Sequence, residues 1–199
     1  MAMPMRFDPL VDLDGMWTTQ LAERYLPLPE LPDARYECID ARLVMTPAEV
    51  GTNSFGEGRL IRLLGPTAEA AGCYVYGQVN LTFAPQRWIQ PDVTILHDLP
   101  KTDEEDRWIP AHLCTMAVEF VSPSSRRQDF IDKPRRCAEG GVPYFMRVEI
   151  SRRLRHVAVE LSTIGEFGGY DPVAQAVSGQ RLRADLPFPI DFDPADLLP

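Results

Sequence analysis

Leu113-Cys-Thr-Met-Ala-Val-Glu-Phe-Val121 is the most apolar strand-length run in the chain, and Pro123 ends it. Such a run is typical of a strand that is buried on both faces at the centre of a sheet. Alternation with a period of two places Glu119 on the same face as Leu113 and Ala117. A buried carboxylate costs several kcal/mol unless it is compensated. A bound cation, an arginine partner or a strand end near solvent would each compensate it, and this residue alone leaves all three open.

The residues that follow predict a strand-helix-strand crossover. A helix is expected over Ser124–Gly140, with Gly140-Gly141 as its stop, and a further strand over Val142–Ile150. Upstream, alternating residues in Tyr36–Ile39 and Leu43–Met45 predict an N-terminal β-hairpin. We also expect a helix over 53–71 that is interrupted or ends early near Gly65-Pro66, strands over 74–83 and 91–96, an exposed loop over 98–106, and a helical turn near 191–198. These elements predict an α/β fold with a mixed sheet flanked by helices, in one domain spanning 1–199.

The charge is unevenly distributed. The chain carries a net charge of −9, which is unusual for a protein that binds nucleic acid, because phosphate attracts Lys and Arg. From Phe120 to Glu160, however, nine basic residues face five acidic ones, a local excess of +4. This excess is compatible with local phosphate binding and equally with ordinary solvated faces.

The cysteines and histidines do not predict a metal site of their own. Four widely separated cysteines occur without any Cys-x-x-Cys pair, and the three histidines do not supply zinc-ligand spacing. Their even number leaves a disulfide pair open, but in a cytoplasmic protein of this size we expect buried free thiols. The first ten residues do not resemble a signal peptide, and no run of apolar residues is long enough to predict a membrane span.

Three further residues bear on chemistry, and each has an ordinary structural interpretation. Asp92 follows Pro91 at the start of a predicted strand, as many turn aspartates do. Glu37 lies in the first arm of the hairpin, where an exposed edge position is common. Lys133 comes fourteen residues after Glu119, on the next predicted helix, which can pack back against the strand of Glu119. Most lysines in such positions are simply solvated.

Taken together, these motifs are more specific than any one of them. In order, the chain reads Tyr36-Glu-Cys-Ile-Asp-Ala41, Pro91-Asp-Val93, Val118-Glu-Phe-Val-Ser-Pro-Ser124, Asp129 with Lys133, and Gly141-Val-Pro143. This order resembles the Uma-two family of endonucleases, a bacterial branch of the PD-(D/E)xK restriction-endonuclease-like fold. The resemblance extends from about Trp17 to Leu198, and the Val-Glu-x-x-Ser-Pro-Ser segment is its most specific part.

The resemblance implies an activity and a site. Asp92 and Glu119, with the main-chain carbonyl of Phe120, would hold Mg²⁺ or Mn²⁺, and Glu37 would complete the acidic cluster. Lys133 would replace the lysine that usually lies two residues after the glutamate. The reaction would be hydrolysis of phosphodiester bonds in DNA by a homodimer. Hard oxygen ligands, metal-activated water and a nearby lysine suit that chemistry.

Three departures from the family pattern affect these expectations. Ala41 replaces the usual turn glycine, the strand over 144–150 matches loosely, and Pro134 directly follows Lys133, so that the helix begins or kinks there. Two rival interpretations also remain: a nuclease-like fold that only binds or regulates, and a structural or toxin-antitoxin-like interaction protein. The enzymatic interpretation requires the three acids to converge on one cation site. Acids that point apart, or an arginine that already occupies that site, would overturn it.

Overall fold

The computed structural model describes residues 7–28, 34–47, 51–122 and 126–199. Within them, the α-helices are α1 (Pro9–Asp12), α2 (Thr19–Tyr25), α3 (Gly51–Ala70), α4 (Asp103–Arg107) and α5 (Lys133–Glu139). Single 3₁₀ turns cover Ala111–Leu113 and Pro194–Leu197, and one π-helical turn covers Gln128–Asp132. None of the helices in these ranges is both long and apolar enough to cross a membrane.

The strands form three sheets. In chain order they are β1 (Ala34–Ile39), β2 (Arg42–Pro47), β3 (Tyr74–Tyr76), β4 (Leu81–Ala84), β5 (Arg87–Ile89), β6 (Val93–Leu96), β7 (Ile109–Pro110), β8 (Cys114–Val121), β9 (Tyr144–Ser151), β10 (His156–Ile164), β11 (Tyr170–Val177), β12 (Leu182–Ala184) and β13 (Ile190–Phe192). The order is β11-β10-β9-β8-β6-β3 in the six-stranded sheet and β2-β1-β5-β4-β7 in the five-stranded sheet, while β12 and β13 pair with each other. The predicted mixed α/β fold with an N-terminal hairpin is therefore confirmed.

Strand β8 lies inside the six-stranded sheet, and all eight of its residues are buried. Met116, Val118 and Phe120 contribute to a core that also contains Leu60 and Leu64 of α3. On the opposite face, Ala117 packs in a second core with Cys137 of α5. The crossover from β8 through α5 to the parallel strand β9 is the one that the sequence predicted.

The predicted interruption of the long helix near Pro66 is wrong. Helix α3 continues through Pro66 as far as Ala70. Leu60, Leu64 and Ala68 are fully or almost fully buried at a spacing of four residues. They form one continuous apolar stripe on both sides of the proline, and its burial outweighs the local preference of proline to end a helix.

The predicted single strand over 74–83 is also wrong. The chain bends after Tyr76, so that β3 pairs with β6 in the larger sheet and β4 pairs with β5 in the smaller one. The alternation in the sequence continues across the bend and therefore does not reveal it. In the expected loop over 98–106, Asp103–Arg107 form α4, capped by the side chain of Thr102.

The hairpin turn explains what Ala41 does in place of glycine. Asp40 and Ala41 have φ angles of +51° and +64°. A two-residue turn with both φ angles positive matches the twist of the flanking strands and is normally occupied by Asn-Gly or Asp-Gly. Ala41 adopts this conformation at some cost in backbone strain. The turn therefore keeps the conformation that glycine would favour. Arg87 of β5 forms an ion pair with Asp40 in this turn at 2.7 Å.

All four cysteines are buried and free of disulfides, as expected. Burial raises the pKa of Cys38 and of Cys114 to about 12. Because the thiolate is the reactive form, we expect DTNB to label none of the four thiols of the native protein at about pH 8. Labelling should begin only as urea unfolds the chain. Fast labelling of even one thiol without denaturant would contradict the described packing.

Candidate active site

Strand β8 directs Glu119 towards α5. Its neighbours Val118 and Phe120 lie in the core that faces α3, so alternation places Glu119 on the other face, with Ala117. Its side chain is almost completely buried, with 1% of its surface exposed. Helix α3 packs closely behind the strand at Gly56, where a Cβ atom would lie 2.8 Å from the Phe120 ring. The position of Glu119 is thus fixed by packing on both faces of β8.

Asp92 is held beside Glu119 by main-chain hydrogen bonds. Its amide donates to the carbonyl of Val118 at 3.0 Å. Its Oδ2 atom accepts a 2.6 Å hydrogen bond from the amide of Phe120, the residue after Glu119. Strand β6, which begins at Val93, pairs antiparallel with β8 and fixes this register. Asp92 is 2% exposed, so the two carboxylates share one buried region.

Glu37 reaches the same region from the smaller sheet. It lies on β1, next to Cys38, which pairs with Trp88 of β5. Its Oε1 atom accepts a 2.9 Å hydrogen bond from the amide of Gln90, two residues before Asp92. Glu37 is 1% exposed. The segment between β5 and β6, which contains Gln90 and Asp92, therefore links Glu37 of the hairpin to Asp92.

Lys133 lies among these carboxylates. Its Nζ atom is 2.9 Å from Glu119 Oε2, 3.1 Å from Glu37 Oε1 and 3.6 Å from Asp129 Oδ1. The π-helical turn over Gln128–Asp132 leads into α5, and Pro134 occupies the first turn of that helix. Pro134 at this position is compatible with helical structure. It does not prevent Lys133 from reaching the acids.

Four buried carboxylates surround the single lysine: Glu119, Glu37, Asp129 and Asp92. Burial raises the pKa of Glu119 well above its ordinary value of 4.5; Lys133 opposes this increase, and the neighbouring acids add to it. Burial alone would lower the pKa of Lys133, but the four carboxylates outweigh it and raise that pKa well above 10.5. When all four acids are ionised, their negative charge exceeds the positive charge of Lys133 and Arg35 by two.

Arg35 is a site residue that the sequence analysis missed. On β1 it forms an ion pair with Oδ1 of Asp92, and its side chain is 13% exposed. The signal was present in the sequence: Arg35 lies two residues before Glu37 on the same strand, so both side chains share a face. The acids converge on the ammonium group of Lys133, and an arginine contacts one of them, Asp92. The cation site that the enzymatic interpretation requires therefore stays a prediction.

The donor atoms fit Mg²⁺ in a limited way. Within the described residues, no group of three Asp, Glu, His or Cys side chains is arranged to hold a metal ion. Mg²⁺ does not need three, since it usually keeps several waters and binds one or two carboxylates. Glu119 Oε1 is buried and has no hydrogen-bond partner in the described part of the chain. That oxygen and the excess negative charge suit a divalent cation held by Asp92 and Glu119.

The family model of Uma2 ("Putative restriction endonuclease") matches residues 22–196. The chain belongs to the Uma2 family. The resemblance drawn from the motifs, from Tyr36-Glu37 to Gly141-Val142-Pro143, is thereby confirmed, although Pro123 and Ser124 of the most specific motif lie outside the described residues.

A solved structure supports the fold of this Uma2 protein. It is described as a "putative nuclease belonging to DUF820" from Anabaena variabilis ATCC 29413. The two chains are 16% identical and superpose with a TM-score of 0.60. The match covers 88% of this chain and 95% of the other chain. No curated protein matches the sequence. Family membership and the nuclease-like fold support a nuclease function.

Proposed function

We propose that this Uma2 protein is a metal-dependent endonuclease that hydrolyses phosphodiester bonds in DNA. The observation that carries the proposal is the buried convergence of Glu37, Asp92 and Glu119 around Lys133. Buried charges at such density are costly to fold and are typical of sites with a chemical task.

Each residue has a role in the proposed reaction. Asp92 and Glu119, with the main-chain carbonyl of Phe120, would hold Mg²⁺ or Mn²⁺. When bound, the ion supplies an activated water and neutralises charge on the phosphoryl group. Lys133 would donate hydrogen bonds to the attacking water or to a phosphoryl oxygen. Glu37, held by the amide of Gln90, positions the ammonium group of Lys133.

Two arginines near the end of β8 are the proposed phosphate-binding groups, and each also pairs with a glutamate, Arg126 with Glu149 at 2.8 Å and Arg147 with Glu160 at 2.7 Å. A groove of about 470 Å³ lies at the end of β8 and is lined by Ser122, Arg126, Glu149 and His156, among others. Arg126 and Arg147 both stack on the Phe130 ring, with 4.5 and 4.0 Å from guanidinium carbon to ring centroid. These arginines belong to the +4 segment. DNA binding through them should weaken steeply as salt is added.

We also propose that the protein acts in the cytoplasm as a homodimer. The four free, buried cysteines fit a reducing compartment. Two copies would allow two strands to be cut, and sedimentation at micromolar concentration would show whether they associate.

Purified protein should nick or cleave supercoiled plasmid DNA with Mg²⁺ or Mn²⁺, and EDTA should stop the reaction. Asp92→Ala should abolish cutting, because it removes one of two proposed metal ligands. Asp103→Asn, an exposed aspartate on α4, is the control and should cut like wild type. Equal cutting by Asp92→Ala and wild type would show that the activity comes from another site or from a contaminant.

A second candidate, a Uma2 protein that binds without cutting, is favoured by one observation: the ion pair of Arg35 with Asp92. Calorimetric titration of Mg²⁺ into wild type and Glu119→Gln distinguishes the two functions. The nuclease requires binding that Glu119→Gln weakens strongly. Absence of Mg²⁺ binding, together with intact DNA binding, would favour the non-cutting module.

A further inference from the structure

Arg35 is held in its position from two sides. Its guanidinium binds Oδ1 of Asp92. The carboxamide of Gln78, in the orientation that turns its oxygen towards Arg35, accepts a hydrogen bond from Nη1 at 3.1 Å. The side chain is mostly buried. A guanidinium with a carboxylate on one side and an amide on the other is a built arrangement, unlike a surface arginine that samples many rotamers.

The two oxygens of Asp92 are both engaged. Oδ2 accepts from the amide of Phe120, and Oδ1 accepts from Arg35. Glu119, in contrast, has Oε2 on Lys133 and Oε1 without a hydrogen-bond partner among the described residues. A divalent cation would therefore find an open oxygen at Glu119 and an occupied one at Asp92.

A guanidinium and a divalent cation cannot both bind Oδ1 without a large cost in free energy, because two positive groups at such short range repel each other strongly in a buried region. The amide of Phe120 is fixed in β8 and cannot give up Oδ2 without disturbing the strand. The side chain of Arg35, which comes from the other sheet, can move without breaking any main-chain pairing. The exchange must then take place at Arg35.

We propose that Arg35 is a built-in counter-cation of Asp92, which a divalent metal ion must displace before the site is loaded. This inference rests on the proposed function, since it assumes that Asp92 is a metal ligand. Arg35 neutralises Asp92 in the metal-free protein and lowers the affinity for the metal. It makes loading an exchange of one cation for another.

The test is a Mn²⁺ titration by calorimetry without DNA, comparing wild type, Arg35→Gln and Arg87→Gln. Arg87 is the matched control, because it lies in an exposed ion pair with Asp40 at the far end of the hairpin. Arg35→Gln should bind Mn²⁺ more tightly by roughly ten- to hundredfold, the range that a hydrogen bond between charged groups is worth. Arg87→Gln should match wild type.

A crystal structure of wild type with Mn²⁺ gives a second readout and does not depend on the variant folding. The guanidinium of Arg35 should have left Oδ1 of Asp92, with the ion in its place. An ion bound to Asp92 while Arg35 keeps its contact would overturn the inference, as would equal or weaker Mn²⁺ binding by Arg35→Gln.

The outcomes separate this inference from the proposed function. If wild type and Arg35→Gln bind Mn²⁺ equally, the metal site stands and the role of Arg35 is wrong. If neither binds Mn²⁺, the metal-dependent function itself fails, and the inference fails with it.

Discussion

Replacing Lys133 with methionine should lower the free energy of unfolding by about 3–5 kcal/mol at about pH 8, the cost of leaving buried charges without their partner. Lys133 is the shared partner of Glu119, Glu37 and Asp129, all of them buried. Methionine replaces the aliphatic part of the side chain but supplies no charge. Urea denaturation followed by circular dichroism measures the change.

The pH dependence of this loss follows from the acids that remain. Without the lysine, Glu119, whose pKa burial already raises, favours its protonated form still more, so the deficit should shrink as the pH falls through that raised pKa. Wild type contributes a second signature. The pKa of Lys133 is raised in the folded state, so its stabilising contribution is complete below about 10.5 and is lost as the pH rises through the raised value.

Arg135→Met is the matched control for Lys133→Met. It removes one positive charge from the same helix, two residues further on, where the side chain is 61% exposed. Stability should change by no more than about 0.5 kcal/mol, as for most surface substitutions. Equal losses in both variants, or a loss at Lys133 that does not depend on pH, would mean that the lysine does not neutralise the acids.

The central part of the fold was predictable because local pattern and burial agree there. The apolar run ending at Val121 predicted a central strand, and alternation placed Glu119 on the face that in fact meets α5. The spacing from Glu119 to Lys133 allowed a return contact as well as a solvated lysine, and the 2.9 Å ion pair shows that the contact forms. Each of these steps depends only on residues that are close in the sequence.

Contacts between distant segments could not be derived in the same way. Glu37 and Asp92 join the site through the pairing of β1 with β5, the pairing of β6 with β8, and the amides of Gln90 and Phe120. A main-chain hydrogen bond leaves no mark on the sequence. Only the family resemblance suggested that they belong together. Arg35 was missed because Glu37, two residues further along the strand, has an ordinary interpretation as an edge residue. The sequence shows that the two side chains share a face, but not that this face is buried.

Glu119→Gln should affect activity and stability in opposite directions. In the proposed reaction Glu119 is a metal ligand, and the ion stabilises charge worth several kcal/mol in the transition state. At about 1.4 kcal/mol per tenfold in rate, loss of that ion should slow plasmid cleavage by about 10³-fold or more. Glutamine keeps the size of the side chain, so the cleavage loss cannot be ascribed to a cavity. Asp103→Asn again serves as the control.

Stability should rise in the same variant when metal is absent. Burial first, and then the neighbouring acids, raise the pKa of Glu119 in the folded protein. The stability linked to a raised pKa is complete below the ordinary value of 4.5 and is lost as the pH rises through the folded value. Glutamine does not titrate, so Glu119→Gln does not lose this stability. Its free energy of unfolding relative to metal-free wild type should therefore increase as the pH rises from 4.5 to the raised pKa of Glu119. Thermal unfolding in EDTA at several pH values measures this difference. A variant that loses both activity and stability would show that Glu119 is a structural partner of Lys133 and not a residue whose charge the fold tolerates for catalysis.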